Sequence, residues 1–308
     1  MFYKLFFPGL LSISLLSTTP LALAASPGFP AIVAHRGGTA DAPENTIYAI
    51  KNALQNSADA IWVTVQLSSD GVPVLYRPTD LKTLTNGSGP ISSFSAFQLG
   101  KLDAAYYFDP KDGYPLRGRG IGIPTLESVL KEFPNTFFYL DIKSPDADPN
   151  KMAANLKQIL ENTGALQRIR IYSTEAKYTE AAQAMPHFET RDETRTALAN
   201  VTMAHSCQLS PKLGSWYGYE LRRDVQLTET TTLGVSPPSA SQLVWNREAA
   251  NCFIGTAKGN VLLIGINSAD DYATAAALGS VAVLVDSPAQ ARQWPSTIIQ
   301  SQSGHAVQ

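Results

Sequence analysis

The sequence predicts an α/β protein, and within that class a TIM-type (β/α)8 barrel, on three observations. Short β-branched and aliphatic runs alternate with helical patterns along most of the chain, which makes a parallel sheet with right-handed crossovers. No G-x-G-x-x-G follows the first run, so the open dinucleotide-binding sheet loses its signature. The strongest polar side chains fall near the carboxyl ends of the runs, where barrel enzymes build their sites.

The elements follow in order. Strands are expected at Ala31–Ala34, Ala60–Leu67, Val72–Tyr76, Phe137–Ile142, Arg168–Tyr172, Val261–Ile266 and Val281–Val285, with weaker candidates at Phe188–Thr190 and Tyr219–Asp224. Thr46–Gln55 carries apolar residues at Ile47, Ile50 and Leu54, a helical spacing. Leu126–Phe133 follows Pro124-Thr125, a good helix start, and Asp270–Leu278 ends at Gly279, a good stop. Met152–Leu160 completes the helices. Asp103–Gly122 has no period and is rich in Tyr, Asp, Gly and Arg, which fits either a lid or a plain surface loop.

The ends read differently. Residues 1–24 carry Lys4, an apolar stretch, and Ala22-Leu23-Ala24 before Ala25. That is a secretory leader, and it predicts a periplasmic or secreted barrel domain over 25–299 with no stable membrane insertion after cleavage. Residues 300–308 read as a polar, frayed tail. In an oxidising compartment Cys207 and Cys252 are either bridged or buried thiols, and spacing alone does not decide. Removing the leader from 308 residues leaves a length that suits a single barrel of ~250 residues.

Composition excludes several functions. Hydrophobic residues make up 44% and the formal net charge is only −2, so the chain is not disordered. With 24 basic and 26 acidic residues, nothing favours nucleic acid as a partner. Two cysteines make neither a disulfide scaffold nor a zinc cluster. His187, His205 and His305 have no metal-ligand spacing. The charge run Phe188–Arg195 reads as a solvated helix start rather than a strand's upper end. Trp216, Tyr217 and Tyr219 read as core.

Strand parity collects one site. Alternate residues of a strand share a face. Ile61, Val63, Val65 and Leu67 form a greasy face, so Trp62, Thr64 and Gln66 point inward; by the same rule Tyr139, Asp141 and Lys143 point inward and Arg77 lies opposite Val74 and Tyr76. With His35 and Arg36 at the end of the first strand and Glu44 close by, basic groups outnumber carboxylates. Such a pocket takes an anion, and guanidinium forks match phosphate oxygens. Imidazole is the side chain suited to proton transfer near neutrality.

Ala34-His35-Arg36-Gly37-Gly38 followed by Pro43-Glu44-Asn45-Thr46 resembles the opening signature of the glycerophosphodiester phosphodiesterases. The likeness continues through Ala58-Asp59, Val65-Gln66-Leu67, Ser69-Asp70-Gly71, Pro73-Val74 and Thr85-Asn86-Gly87-Ser88-Gly89. It resumes at Ile123-Pro124-Thr125-Leu126-Glu127, Leu140-Asp141-Ile142-Lys143 and Gly279 through Asp286-Ser287-Pro288, while 145–259 matches only in rhythm. The resemblance implies a barrel of the phospholipase-C-like phosphodiesterase type. Its members cleave glycerophosphodiesters to glycerol 3-phosphate and an alcohol, with two histidines and a divalent cation held by three carboxylates. It places the first histidine on His35, a phosphate-contacting arginine on Arg36, the motif glutamate on Glu44, the family lysine on Lys143, and the third metal-binding carboxylate on Asp141.

The departures are as informative. The family's Glu-x-Asp pair falls on Trp62 and Thr64, its second histidine on Arg77 and the following Asp on Pro78. A hard divalent cation wants several oxygen ligands, so no metal and no other cofactor is expected here. The Arg77 guanidinium instead takes over the fixed positive charge, which resembles the bacterial phosphatidylinositol phospholipases C. Arginine holds its proton too tightly to act as an acid, leaving Tyr139 or water to protonate the leaving group. Expected site residues are therefore His35, Arg36, Arg77, Asp141 and Lys143 for catalysis, and Glu44, Thr64 and Tyr139 for substrate. Three readings follow: a metal-independent phosphodiesterase with His35 as general base, a catalytically impaired protein that binds phosphodiesters, or a structural envelope protein with a vestigial site.

Overall fold

The computed structural model describes residues 28–228, 230–232 and 234–305; the expected leader lies outside them. Seven strands make a curled parallel sheet: β1 (Ala31–His35), β2 (Ala60–Leu67), β4 (Phe137–Ile142), β5 (Ile169–Ser173), β6 (Trp216–Glu220), β11 (Asn260–Ile264) and β12 (Ala282–Val285). Their spatial order is β5-β4-β2-β1-β12-β11-β6. The gap between β5 and β6 is filled by 187–189. Phe188 donates its N–H to Ile171 O at 2.9 Å and Glu189 donates to Trp216 O at 2.8 Å. The weaker candidate at Phe188–Thr190 thus supplies the eighth stave, held by one bridge and a few backbone hydrogen bonds rather than by a full ladder.

Two expected strands need correction. Val72–Tyr76 shortens to β3 (Pro73–Leu75), which pairs antiparallel with β2 and stands off the barrel path. Pro73 has no N–H to donate, so this segment suits an edge rather than a stave. Tyr219–Asp224 is split at Leu221. Its first half belongs to β6, and its second half opens a projecting antiparallel arm of β7 (Arg222–Leu227) and β10 (Ser239–Val244), with the short pair β8 (Thr230–Thr231) and β9 (Gly234–Val235) beyond.

The helices are α1 (Ile47–Gln55), α2 (Ala96–Leu99), α3 (Leu126–Glu132), α4 (Pro149–Asn162), α5 (Ala176–Ala181), α6 (Arg191–Ala204), α7 (Arg247–Ala250), α8 (Ala269–Leu278), α9 (Pro288–Ala291) and α10 (Trp294–His305). The last enters the stretch expected to fray. None is long and apolar enough to cross a membrane. Local chemistry sets their ends. Thr125 and Ser268 cap α3 and α8 with side-chain oxygens, and Gly279 closes α8 in the left-handed conformation. The outward strand faces, through Val63, Val65 and Leu140, pack on α1, α3, α4 and α5, with Leu156 of α4 among the helix residues that meet them. Across the barrel, Val261, Leu263 and Val283 pack with Leu198, Phe253 and Tyr272. The interior is filled by Trp62, Tyr139, Tyr172, Phe188 and Leu284, as in a packed barrel rather than a pore.

Cys207 and Cys252 are bridged, with Cα atoms 5.7 Å apart. The bridge ties the chain after α6 to the π-helical turn Asn251–Thr256 and closes a loop of sequence separation 45. Cutting a loop of that length should cost about 2–4 kcal/mol. Reduction, or Cys207→Ser, is expected to lower the thermal midpoint, and an unchanged midpoint would mean the unfolded chain gains nothing from release.

Candidate active site

The turn after β1 builds the first wall. Arg36, Gly37 and Gly38 all have positive φ (52°, 85° and 95°). A Cβ on Gly37 would meet the Ala49 Cβ at 2.8 Å, and one on Gly38 the Pro288 Cδ at 2.9 Å, so only glycine lets this turn nest between α1 and α9. The following motif locks it. Asn45 donates its N–H to Arg36 O and accepts the Thr64 N–H on Oδ1 at 2.9 Å, while Thr46 Oγ1 accepts from Ala49 N at 3.0 Å and caps α1. Arg36 Nη1 donates to Glu44 Oε2 at 2.5 Å.

His35 is held from both sides. Its Nδ1 lies 2.7 Å from Asp286 Oδ1 at the end of β12. That carboxylate also accepts from Thr39 Oγ1 at 3.0 Å and from Asn267 Nδ2 at 3.0 Å. The His35 hydrogen bond, ahead of the raising effect of burial, holds the Asp286 carboxyl down at about 2. With Asp286 ionised, the proton on neutral His35 belongs on Nδ1, leaving the Nε2 lone pair to accept the Arg36 Nε–H at 3.1 Å.

Register sorts the inward side chains into rows. Trp62, Tyr139 and Arg170 are partners across β2, β4 and β5; two residues further along, Thr64, Asp141 and Tyr172 form the next row. Above them opens a cavity of about 420 Å³, lined among others by His35, Arg36, Thr64, Arg77, Asp141 and Lys143. Six of the eight expected residues therefore meet in one place. Glu44 backs Arg36 and lines a smaller adjoining cavity. Tyr139 corrects its expectation. It faces inward but is fully buried one row below, packed among Trp62, Phe188 and Trp216, with its hydroxyl unpartnered and its pKa pushed well above the tyrosine range by burial. It reaches no ligand in the cavity.

Arg77 is presented by Gln66, whose Nε2 donates to Tyr76 O and Pro78 O at 3.0 and 2.9 Å, clamping the backbone on both sides of it. The Arg77 side chain is exposed to the cavity and makes no ion pair among the described residues. Every other charged side chain there has an ion-pair partner. Lys143 Nζ lies 2.9 and 2.8 Å from the two oxygens of Asp141. Arg191 grips Glu220 at 3.0 and 3.1 Å, and Arg223 donates to the same carboxylate. Arg77 is left without a carboxylate partner, and the two guanidiniums that share Glu220 add to the cavity's positive charge, the condition for anion binding.

Sequence reading missed Asp286, Tyr172, Arg191, Glu220 and Arg223 as parts of this site. The charge run does begin a helix, with Thr190 and Glu193 forming a capping box, yet Arg191 turns into the cavity with only 13% of its side chain exposed. The aromatic trio is core, as expected: Tyr217 and Tyr219 are buried and Trp216 packs into the barrel interior.

The divalent cation implied by the family resemblance does not fit these residues. Its second-strand positions hold an indole and a hydroxyl, and the Trp62 Nε1–H donates to Asp141 Oδ2 at 3.3 Å. Lys143 already occupies the mouth of that carboxylate. A dication within ~4 Å of an ammonium is repelled by about 8 kcal/mol at an effective dielectric of 20. Among the described residues no cluster of three or more His, Cys, Asp or Glu side chains is placed to hold a metal.

Comparisons with known proteins place the fold and the family. The sequence profile of the glycerophosphoryl diester phosphodiesterase family matches residues 35–210. The uncharacterized protein Rv2277c of Mycobacterium tuberculosis is 43% identical over 271 residues, spanning 86% of this chain and 89% of that protein. The crystal structure of its glycerophosphoryl diester phosphodiesterase domain aligns with a TM-score of 0.81, covering 87% of this chain and 99% of that one. The glycerophosphodiester phosphodiesterase of Bacillus subtilis is 34% identical over 163 residues, 48% of this chain and 55% of its own length. An Oleispira antarctica phosphodiesterase, solved with its product sn-glycerol-3-phosphate, is similar in fold at a TM-score of 0.61 and 19% identity, covering 87% of this chain and 97% of that one.

Proposed function

Because the chain belongs to the glycerophosphoryl diester phosphodiesterase family, we propose that it hydrolyses glycerophosphodiesters to glycerol 3-phosphate and an alcohol, and does so without a divalent cation. The observation that carries this reading is the unpaired Arg77 guanidinium in the same cavity as the His35–Asp286 pair. Once the Arg36 Nε–H moves from the His35 Nε2 lone pair to a phosphoryl oxygen, Nε2 takes the proton from the attacking oxygen, and Asp286 stabilises the imidazolium that forms. The attacking oxygen is a water, or the neighbouring glycerol hydroxyl in a first step whose cyclic phosphate a water then opens to glycerol 3-phosphate. Arg36 and Arg77 stabilise the charge gathering on the phosphoryl oxygens. As the bond from phosphorus to the alcohol oxygen breaks, the leaving alkoxide takes a proton from Lys143, which Asp141 aims. Lys143 is the cavity's one cation that is not a guanidinium and so can give up a proton. Tyr172 is the weaker donor, since burial raises its pKa. The Cys207–Cys252 bridge supports placing the protein in the periplasm or outside the cell.

The test is release of glycerol 3-phosphate from sn-glycero-3-phosphocholine and sn-glycero-3-phosphoglycerol in excess EDTA. Turnover is expected to be the same with and without chelator. A rate that rises severalfold with magnesium or calcium would remove the role given to Arg77. One observation favours the second reading, a binder without turnover: the family's second histidine is replaced by a group that cannot transfer a proton. No release from either diester, with micromolar binding of glycerol 3-phosphate, would establish that reading.

A further inference from the structure

We infer that Trp62 is a positioning residue for the leaving-group proton, pinning through its indole N–H the carboxylate that aims Lys143. The role rests on Lys143 being the proton donor proposed above. Trp62 Nε1 donates to Asp141 Oδ2 at 3.3 Å, and Lys143 Nζ lies 2.9 and 2.8 Å from the two oxygens of the same carboxylate. Among the described residues these two are the side-chain partners of Asp141. The Asp141 side chain is 6% exposed and that of Lys143 26%, so the carboxylate is shut in while the ammonium still meets the cavity. The last torsion of an aspartate is soft. A carboxylate that holds a single flexible cation therefore swings unless a fixed donor takes one of its oxygens.

Three details separate this role from core packing. The indole is held fast, since its ring packs on those of Tyr172, Tyr139 and Phe188 at 4.9, 5.9 and 6.1 Å. The direction of its N–H is thus set by the barrel interior. Trp62 stands one row below Asp141, level with Tyr139, yet it lines the cavity, so its length carries a donor up to the next row. Thr64, the β2 residue level with Asp141, has its hydroxyl buried without a partner and gives that carboxylate nothing. The core does not demand that every indole be satisfied either: Trp245 is as buried as Trp62, and its Nε1 has no partner. As the bond from phosphorus to the alcohol oxygen breaks, its electron pair goes to that oxygen, which takes a proton from Lys143 Nζ. The neutral amine stays beside Asp141 and regains a proton from solvent. A swinging carboxylate lets the ammonium miss the alkoxide, so the defect falls on proton delivery and spares phosphate binding, the work of Arg36 and Arg77.

The experiment uses two diesters of glycerol 3-phosphate that differ in the leaving group. The alkoxide of sn-glycero-3-phosphocholine needs a proton, whereas the phenolate of the p-nitrophenyl ester leaves without one. Trp62→Phe is expected to lower kcat on the choline ester by at least ~10-fold, the scale of one hydrogen bond to a charged group, with KM changed less than about twofold. On the nitrophenyl ester its kcat should stay within about twofold of the wild type. Lys143→Ala should discriminate between the two esters in the same sense. Replacing Trp62 by 3-benzothienylalanine keeps the shape and puts sulfur in place of the N–H; it should match Trp62→Phe, and it carries the test if the Phe variant does not fold. Equal losses on the two esters from Trp62→Phe or Lys143→Ala, or no loss, overturn the inference while leaving the proposed activity intact. A wild type that cleaves neither ester overturns the activity and this role with it.

Discussion

Arg77→Ala is expected to lower kcat/KM by ~10²–10³-fold, the usual loss when a preorganised donor to developing charge is removed. The effect should be large because no other positive charge in the cavity is free to take its place. Lys143 is committed to Asp141, Arg36 to Glu44, and Arg191 and Arg223 to Glu220. Gln66 holds the Arg77 backbone through two carbonyls, so the guanidinium needs little reorganisation when substrate arrives. Arg77→Lys should recover only part of the loss, since an ammonium gives a point charge where the fork gives two parallel donors. Folding should barely change, within ~0.5 kcal/mol, because the side chain is exposed and unpaired. Steady-state kinetics in EDTA beside a melting curve separates these outcomes. An Arg77→Ala variant with wild-type kcat/KM would end the idea that a guanidinium stands in for the metal.

Much of this site was legible from the strands alone, and what escaped did so for physical reasons. Alternation along β2 and β4 placed Thr64, Asp141 and Lys143 on the inner face, because a buried outer face forbids any other register. Alternation gives a face but not a depth. Tyr139 shares the face of Asp141, yet it lies one row deeper, where its register partner Trp62 lines the cavity and Tyr139 itself does not. Asp286 is 251 residues from His35, and only closure of the barrel brings β12 against β1. No local pattern carries that partnership. Arg191 read as a solvated charge because its neighbours Asp192, Glu193 and Arg195 belong to a helix start; its own burial follows from Glu220 at the end of β6. The stave at 187–189 was a weak signal because it is held by a single bridge and a few backbone hydrogen bonds instead of a ladder, and a short contact leaves little imprint on composition.

Asp286→Asn should be the most instructive change at the histidine. His35→Ala removes the base and is expected to cost at least ~10²–10⁴-fold, the range of a positioned acid–base group. Asp286→Asn keeps the shape but can offer its amide N–H₂ to Nδ1, which favours the tautomer with the proton on Nε2 and blocks base catalysis; a comparable loss follows, mainly in kcat. The same residue writes a pH signature into stability. Its carboxyl is held at about 2 in the folded protein, below the ~3.9 of an unfolded aspartate. A depressed carboxylate contributes stability fully present above about pH 4 and lost as pH falls through 2. The thermal midpoint of the wild type should therefore fall more steeply between pH 4 and 2 than that of Asp286→Asn, which has no carboxyl to protonate there. Parallel curves would mean that Asp286 gains nothing from His35. Unimpaired kcat in the variant would show that the proton is not managed through this pair, and His35 would lose its claim to be the base.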